Sequence, residues 1–237
     1  MKLKKIASLM LAGVMAVSML TACNGSTTND NTNDDDNTNT TPAATYSSTF
    51  GDALEGVAGV NGKIVMSDNA DLTADLNKAI EKLSAATIMR FYSDLNRITY
   101  DRTVYNFGQN SKIATGYGDL IAIAQDMDGR TVSKAFSSDK DMLGDFKSDK
   151  YYEDKTVTML FAVDSTVSAS AAVAEVASDL QEEIAGLKIE NKDANENTLH
   201  FNYDGSVSVA TKTLTENHGM GMHIIAVQIT RTATARV

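Results

Sequence analysis

The chain has 237 residues, and its formal net charge at pH 7 is −10. An acidic chain of this kind is not expected to bind nucleic acid, which requires a basic surface. It contains one cysteine, so an internal disulfide and a multi-thiolate zinc site are both excluded. The folded part therefore has to be stabilised by core packing, and nothing in the composition indicates a cofactor.

The N-terminus has the organisation of a secretory signal peptide. Three lysines within residues 2–5 precede a mostly apolar, uncharged run over residues 6–20. At about 1.5 Å rise per residue, a helix over this run is too short to span a hydrocarbon core of about 30 Å thickness. We therefore predict that residues 1–22 are a cleaved signal peptide.

The cleavage region ends in Leu20-Thr21-Ala22-Cys23. This tetrapeptide resembles the lipobox of bacterial lipoproteins, in which a leucine and two small residues precede the cysteine that accepts the lipid. The resemblance covers residues 1–23 only. It implies that Cys23 is the lipidated first residue of the mature protein and holds it on the outer side of a membrane. The alternative is an ordinary signal peptide cleaved after Ala22, which would leave a free thiol.

A polar segment follows the cysteine. Residues 24–42 contain no hydrophobic residue and end at the single proline of the chain. Such a segment buries too little apolar surface to offset the entropy of ordering it. We predict that residues 23–48 are the lipidated cysteine and a disordered tether with a reach of roughly 25–30 Å. Residues 49–237 are then a single globular domain, with sub-lobes 49–150 and 151–237 as the alternative.

Two passages of the domain share the order strand, Asp/Ser turn, amphipathic helix. In the first, a strand over 63–66 precedes apolar residues at helical spacing over 72–83. In the second, an apolar strand over 156–163 precedes a helix over 169–185, which we expect to start at an Asp or Ser cap and to stop at Gly186. This similarity leaves an internal duplication as an alternative.

The remaining strands are predicted from turn signals. Asp-Gly pairs between apolar runs predict one hairpin over 120–136 and another over 199–211. Residues 222–230 are apolar on both faces, as in a central strand, and residues 87–118 are expected to be strands with loops. The predicted fold class is α+β: an antiparallel sheet with two main helices packed on one face, or alternatively two similar β-α-β lobes.

The segment 218–223 is the best candidate for a chemical site. If it is extended, His218, Met220 and Met222 point to one face and His223 points to the other. Thioether and imidazole groups suit copper, especially Cu(I). The preferred alternative is a glycine-flexed start of the last strand with both methionines in the core, because Met fills irregular core space well. We therefore predict no metal site.

Other motifs give weaker signals. Residues 193–204 resemble a degenerate EF-hand loop, but Thr198 replaces its glycine and Asp204 replaces its bidentate glutamate, so a polar loop is preferred. The chain lacks the G-x-S-x-G and H-E-x-x-H motifs of hydrolases, and it lacks a glycine-rich phosphate loop. Its tyrosines are typical of half-buried strands as well as of recognition surfaces.

These observations favour a membrane-anchored extracytoplasmic lipoprotein of the cell envelope. Its contact with the membrane is the lipid on Cys23, and its domain is expected to bind an unknown protein, peptide or glycan rather than to be an enzyme. The alternatives are a cell-envelope hydrolase with a site assembled from separated residues, a copper-handling lipoprotein using 218–222, and a solute-binding component of a transporter. About 190 folded residues is short for the last of these, since it needs two lobes.

Overall fold

The computed structural model describes residues 44–97, 104–106, 118–127, 143–148, 153–193, 195–214 and 219–235. The described residues from Tyr46 onward belong to one compact unit. The predicted signal peptide, Cys23 and residues 24–43 lie outside the described residues, and so does His218. Of the residues predicted to be tether, 46–48 instead belong to a helix of the domain, and Ser47 is buried. Within the described ranges, no helix is long and apolar enough to cross a membrane.

Helices and strands are mixed along the chain. The described elements before residue 150 are α1 (Tyr46–Leu54), β1 (Val65–Met66), α2 (Ala70–Ala79), a 3-10 turn (Ile80–Lys82), α3 (Ala85–Arg97), β2 (Val104–Asn106), α4 (Gly118–Met127) and α5 (Gly144–Lys147). Those after it are β3 (Lys155–Asp164), α6 (Ala169–Asp179), α7 (Gln181–Ala185), β4 (Glu190–Lys192), β5 (Thr198–Thr213) and β6 (Gly221–Ala235). The α+β class is therefore confirmed.

The described strands form one sheet in the order β1-β5-β6-β3-β2, and β4 also pairs with β5. The long strands β5 and β6 pair from Leu199–Ala235 to Thr213–Gly221 without a break in register. These pairings are antiparallel, except that β1 runs parallel to β5. The predicted antiparallel sheet is thus mostly right, but the sheet is mixed.

The sheet has a core on each face, because successive strand residues point to opposite sides. Odd-numbered residues of the central strands, such as Phe161, pack with α1 and α6 in a first core. Even-numbered residues, such as Leu160, pack with α2, α3 and α4 in a second core. The prediction that both main helices pack on one face is wrong, because Leu72 of α2 and Val173 of α6 lie in different cores. Central strands that are apolar on both faces need cover on both.

Both predicted hairpins are wrong. Over 118–127 the chain is helical, and Leu120, Ile123 and Met127 are buried at helical spacing; a short apolar run alone does not distinguish strand from helix. Residues 131–136 lie outside the described residues. The second hairpin is instead one uninterrupted strand, β5, which runs through Gly205.

Gly205 serves close packing rather than a turn. A Cβ atom at this position would lie 2.7 Å from Cγ2 of Ile64 and would also collide with Sδ of Met66. A glycine inside a strand often marks such an approach of another part of the chain. The glycine of the Asp204-Gly205 pair is therefore explained by a tertiary contact and not by a turn.

The other predictions have mixed outcomes. The helix after each strand and the central strand near 222–230 are confirmed, although the helix predicted over 169–185 is interrupted at Leu180, between α6 and α7. Ser168 caps α6 by accepting from the Ala171 amide at 3.2 Å, and Gly186 follows α7. Residues 85–97 form a helix rather than strands with loops. The two strand-helix passages are not equivalent, since β1 is a parallel edge strand whereas β3 lies between β6 and β2. Strands from both sides of residue 150 join the same sheet.

Candidate functional site at the β5–β6 end of the sheet

The segment singled out by the sequence lies where β5 leads into β6. Gly219 has a φ of 78°, a backbone conformation that glycine adopts without strain. The carbonyl of Met220 accepts a 2.7 Å hydrogen bond from the Leu214 amide, which closes the turn. Met222 is fully buried in the second core, so its thioether serves packing as expected. Met220 is only partly buried and lies in neither core, so the expectation that both methionines are core residues holds for Met222 alone.

His223 is a buried, fully hydrogen-bonded side chain on the first-core face. Its Nε2 lies 2.9 Å from the carbonyl oxygen of Val167, and its Nδ1 lies 2.7 Å from the hydroxyl of Thr211. Because a carbonyl only accepts, Nε2 carries the proton in this arrangement, and Nδ1 accepts from Thr211 in the neutral ring. The imidazole therefore ties the loop before α6 to β5.

Tyr92 makes a second polar cluster on the opposite face. Its hydroxyl lies 2.5 Å from Oδ1 of Asp164 and 2.9 Å from the carbonyl oxygen of Gly221, and it accepts from the Gly221 amide at 3.1 Å. Burial raises the pKa of the Tyr92 hydroxyl, and the hydrogen bond to Asp164 raises it further. This cluster holds α3 against the ends of β3 and β6.

The two clusters are separated by the sheet itself. In the register of β3 and β6, Asp164 pairs with Met222 whereas His223 pairs with Val163. The Asp164 carboxylate and the His223 imidazole therefore point to opposite faces. The other described histidine, His200, is partly exposed and lies 3.2 Å from Glu190. Neither described histidine is placed with an Asp and a Ser as a hydrolytic triad requires.

Among the described residues of 218–223, metal-ligand geometry is not assembled; His218 lies outside them. Met222 and His223 point to opposite faces, and both nitrogens of His223 are already hydrogen-bonded. Within the described ranges, no group of three or more His, Cys, Asp or Glu side chains could hold a metal ion.

The EF-hand-like segment is a turn between β4 and β5. Oδ1 of Asp193 accepts from the amides of Asn195 and Asn197 at 2.8 Å each, and Oδ2 accepts from the Asn197 side chain at 2.9 Å. The bonds from Asn197 lower the pKa of the Asp193 carboxyl. Asp204 lies within β5, paired in register with Thr230 of β6, and a strand follows the turn where an EF-hand has a helix.

The sequence interpretation missed a buried arginine. Arg231 has no solvent exposure, and its guanidinium lies 4.6 Å from the Phe201 ring centroid and 5.1 Å from that of Phe146. It donates to the carbonyl of Glu153 at 2.8 and 3.3 Å and to that of Asp145 at 3.4 Å. The alternation of the strand does indicate that position 231 is buried, since the odd positions 225, 227 and 229 before it are all apolar and point into the core.

Comparison of the chain with protein-family models, with curated proteins and with solved structures found no match.

Proposed function

We propose that this chain is a membrane-anchored extracytoplasmic lipoprotein whose domain binds a component of the cell envelope without catalysing a reaction. The observation that carries the proposal is the lipobox-like segment 20–23, whose cysteine is the single cysteine of the chain. A basic n-region, an apolar run and this cysteine stand in the order that lipoprotein processing requires. A polar segment then separates the anchor from the folded domain.

The side-chain geometry supports the non-catalytic part of the proposal. A general base needs a ring nitrogen or carboxylate within reach of a reacting group. In His223 both nitrogens bond to groups of the fold. The Asp164 carboxylate is likewise engaged, by Tyr92 and by the amide of Thr166 at 2.8 Å. The His223 imidazole and the Asp164 carboxylate are thus used to hold secondary structure together.

Replacement of the cysteine tests the proposal directly. Cys23→Ser is expected to abolish lipidation and to shift the protein from the membrane fraction to the medium or to an unprocessed form. Thr21→Ser is the matched control, because it keeps a small residue before the cleavage point and should leave lipidation intact. The measurement is mass spectrometry of the mature N-terminus. A wild-type N-terminus other than a lipid-modified Cys23 would refute the proposal.

A further inference from the structure

An exposed turn of the domain contains an asparagine that is followed directly by a glycine. Asn61 and Gly62 lie between α1 and β1, and both residues are exposed. Among the asparagines that the structure describes, Asn61 is the one that precedes a glycine. The order matters because the main-chain nitrogen after an asparagine is placed to attack the side-chain amide carbon, and a glycine, which has no Cβ atom, leaves that nitrogen least shielded.

The fold leaves both of these reacting groups unengaged. Within the described ranges, neither the Asn61 side chain nor the Gly62 amide has a hydrogen-bond partner. Gly62 has a φ of 74°, and a Cβ atom built on it would meet nothing within 4 Å. The space around Gly62 is therefore open, and the Asn61 side chain can turn toward its nitrogen without breaking a hydrogen bond.

Other described asparagines are held more firmly. The Asn69 side chain accepts from the Leu72 amide at 3.0 Å and donates to Gln228 at 3.1 Å, so its carboxamide is fixed as the cap of α2. Asn77 lies inside α2 and Asn202 inside β5. In these elements the backbone amides are engaged in regular hydrogen bonds. The structure thus distinguishes the turn at Asn61 from these three sites.

We propose that Asn61 is a site of spontaneous deamidation, with water as the second reactant. The Gly62 nitrogen forms a bond to Cγ of Asn61, and the bond from Cγ to Nδ2 breaks. The proton lost by the attacking nitrogen passes through solvent to Nδ2, which leaves as ammonia. Water then opens the resulting five-membered succinimide ring. Its addition at Cγ gives aspartate, whereas its addition at the main-chain carbonyl carbon gives isoaspartate, in which the chain runs through Cγ.

The two products should differ in their effect on the turn. Aspartate keeps the length of the main chain and adds one negative charge at an exposed position. Isoaspartate adds one carbon to the main chain between Val60, which is buried in the first core, and Lys63, whose ammonium donates to carbonyls at the end of α7. A 3.0 Å hydrogen bond from the Lys63 amide to the Val60 carbonyl also spans the modified residue. Isoaspartate should therefore lower the melting temperature, whereas aspartate should leave it nearly unchanged.

The test uses the mature chain carrying Cys23→Ser and Asn24→Gln. The second change removes the Asn24-Gly25 pair, which lies outside the described residues, so that Asn61 is the remaining asparagine before a glycine. The folded chain is incubated at neutral and at mildly alkaline pH, and position 61 is followed by peptide mapping with tandem mass spectrometry. Aspartate and isoaspartate should accumulate there, and faster at the higher pH, because the attacking nitrogen has to lose its proton.

Two matched variants control the measurement. Asn61→Gln should remove the products at position 61, because glutamine would need a less favourable six-membered ring. Asn77→Gln, at an exposed position of α2, should leave their accumulation unchanged. Asn61→Asp reproduces the aspartate product and gives the melting temperature with which the isoaspartate fraction is compared.

Two results would overturn the inference. The first is the absence of products at Asn61 in the folded chain; conversion in urea alone would show that the fold protects the pair. The second is faster conversion at Asn69 or Asn77 than at Asn61. An isoaspartate fraction that melts with Asn61→Asp would contradict the predicted effect on the turn. All of these results leave the anchor proposal standing, whereas an unlipidated wild-type Cys23 overturns that proposal and not this one.

Discussion

Arg231 offers the sharpest test of how the domain is held together. Replacement by Met keeps a long side chain but removes the guanidinium. The carbonyl oxygens of Glu153 and Asp145 then lose their donor, and the stacking on Phe146 and Phe201 is lost. The change therefore acts on the segment before β3 as well as on β6.

The expected loss of stability is the difference between lost interactions and a recovered desolvation cost. Leaving a buried carbonyl without a partner costs about 1–3 kcal/mol each, and a desolvated cation–π contact contributes about 2 kcal/mol. Part of this free-energy cost is offset, because the variant no longer buries a charge. We expect Arg231→Met to lower the free energy of unfolding by about 2–4 kcal/mol. For a domain of this size the melting temperature should fall by roughly 5–15 °C.

Urea denaturation and thermal unfolding measure the loss. Arg231→Lys should also destabilise, because an ammonium cannot reproduce the planar fork of the guanidinium, whereas Lys78→Met at an exposed position of α2 is the control. The pKa of Tyr203, measured by absorbance titration, adds an independent readout. Burial raises this pKa and the charge of Arg231 lowers it, so Arg231→Met should raise it further. A stability within about 0.5 kcal/mol of the parent would refute the reasoning.

Three further predictions concern other parts of the chain. Gly205→Ala should cost about 1–3 kcal/mol in urea denaturation, because the added methyl meets Ile64 at 2.7 Å; a neutral effect would contradict the packing argument. Tyr92→Phe should cost about 1–2 kcal/mol at neutral pH. The pKa of Tyr92 is raised in the folded protein, so its protonated hydroxyl stabilises the fold below pH about 10, and this contribution falls as the pH rises further. Between neutral and strongly alkaline pH, Tyr92→Phe should therefore lose less stability than the parent. Deleting half of residues 24–42 should leave the melting temperature unchanged, because no apolar residue is removed; a clear drop would show that the segment contacts the domain.

Part of the fold could be predicted because it depends on local periodicity. The apolar stripe of α2, the cap at Ser168 and the doubly apolar run of β6 are each visible in a short stretch of sequence. Helical spacing and strand alternation reflect backbone geometry, so they need no knowledge of distant residues. The expected anchor at Cys23 is of the same kind, since it rests on a contiguous motif.

The rest depended on contacts between distant parts of the chain. Gly205, which predicted a hairpin turn, lies within β5, where Ile64 and Met66 approach too closely for a side chain. The segment of α4 is a helix, although its apolar run is too short to distinguish a helix from a strand. The assignment of helices to opposite faces, the partners of His223 and the aromatic environment of Arg231 all follow from strand pairing over long separations. The sequence alone determined which residues alternate and where helices begin, whereas tertiary structure decided which groups meet, because side-chain partners are set by the register of the sheet.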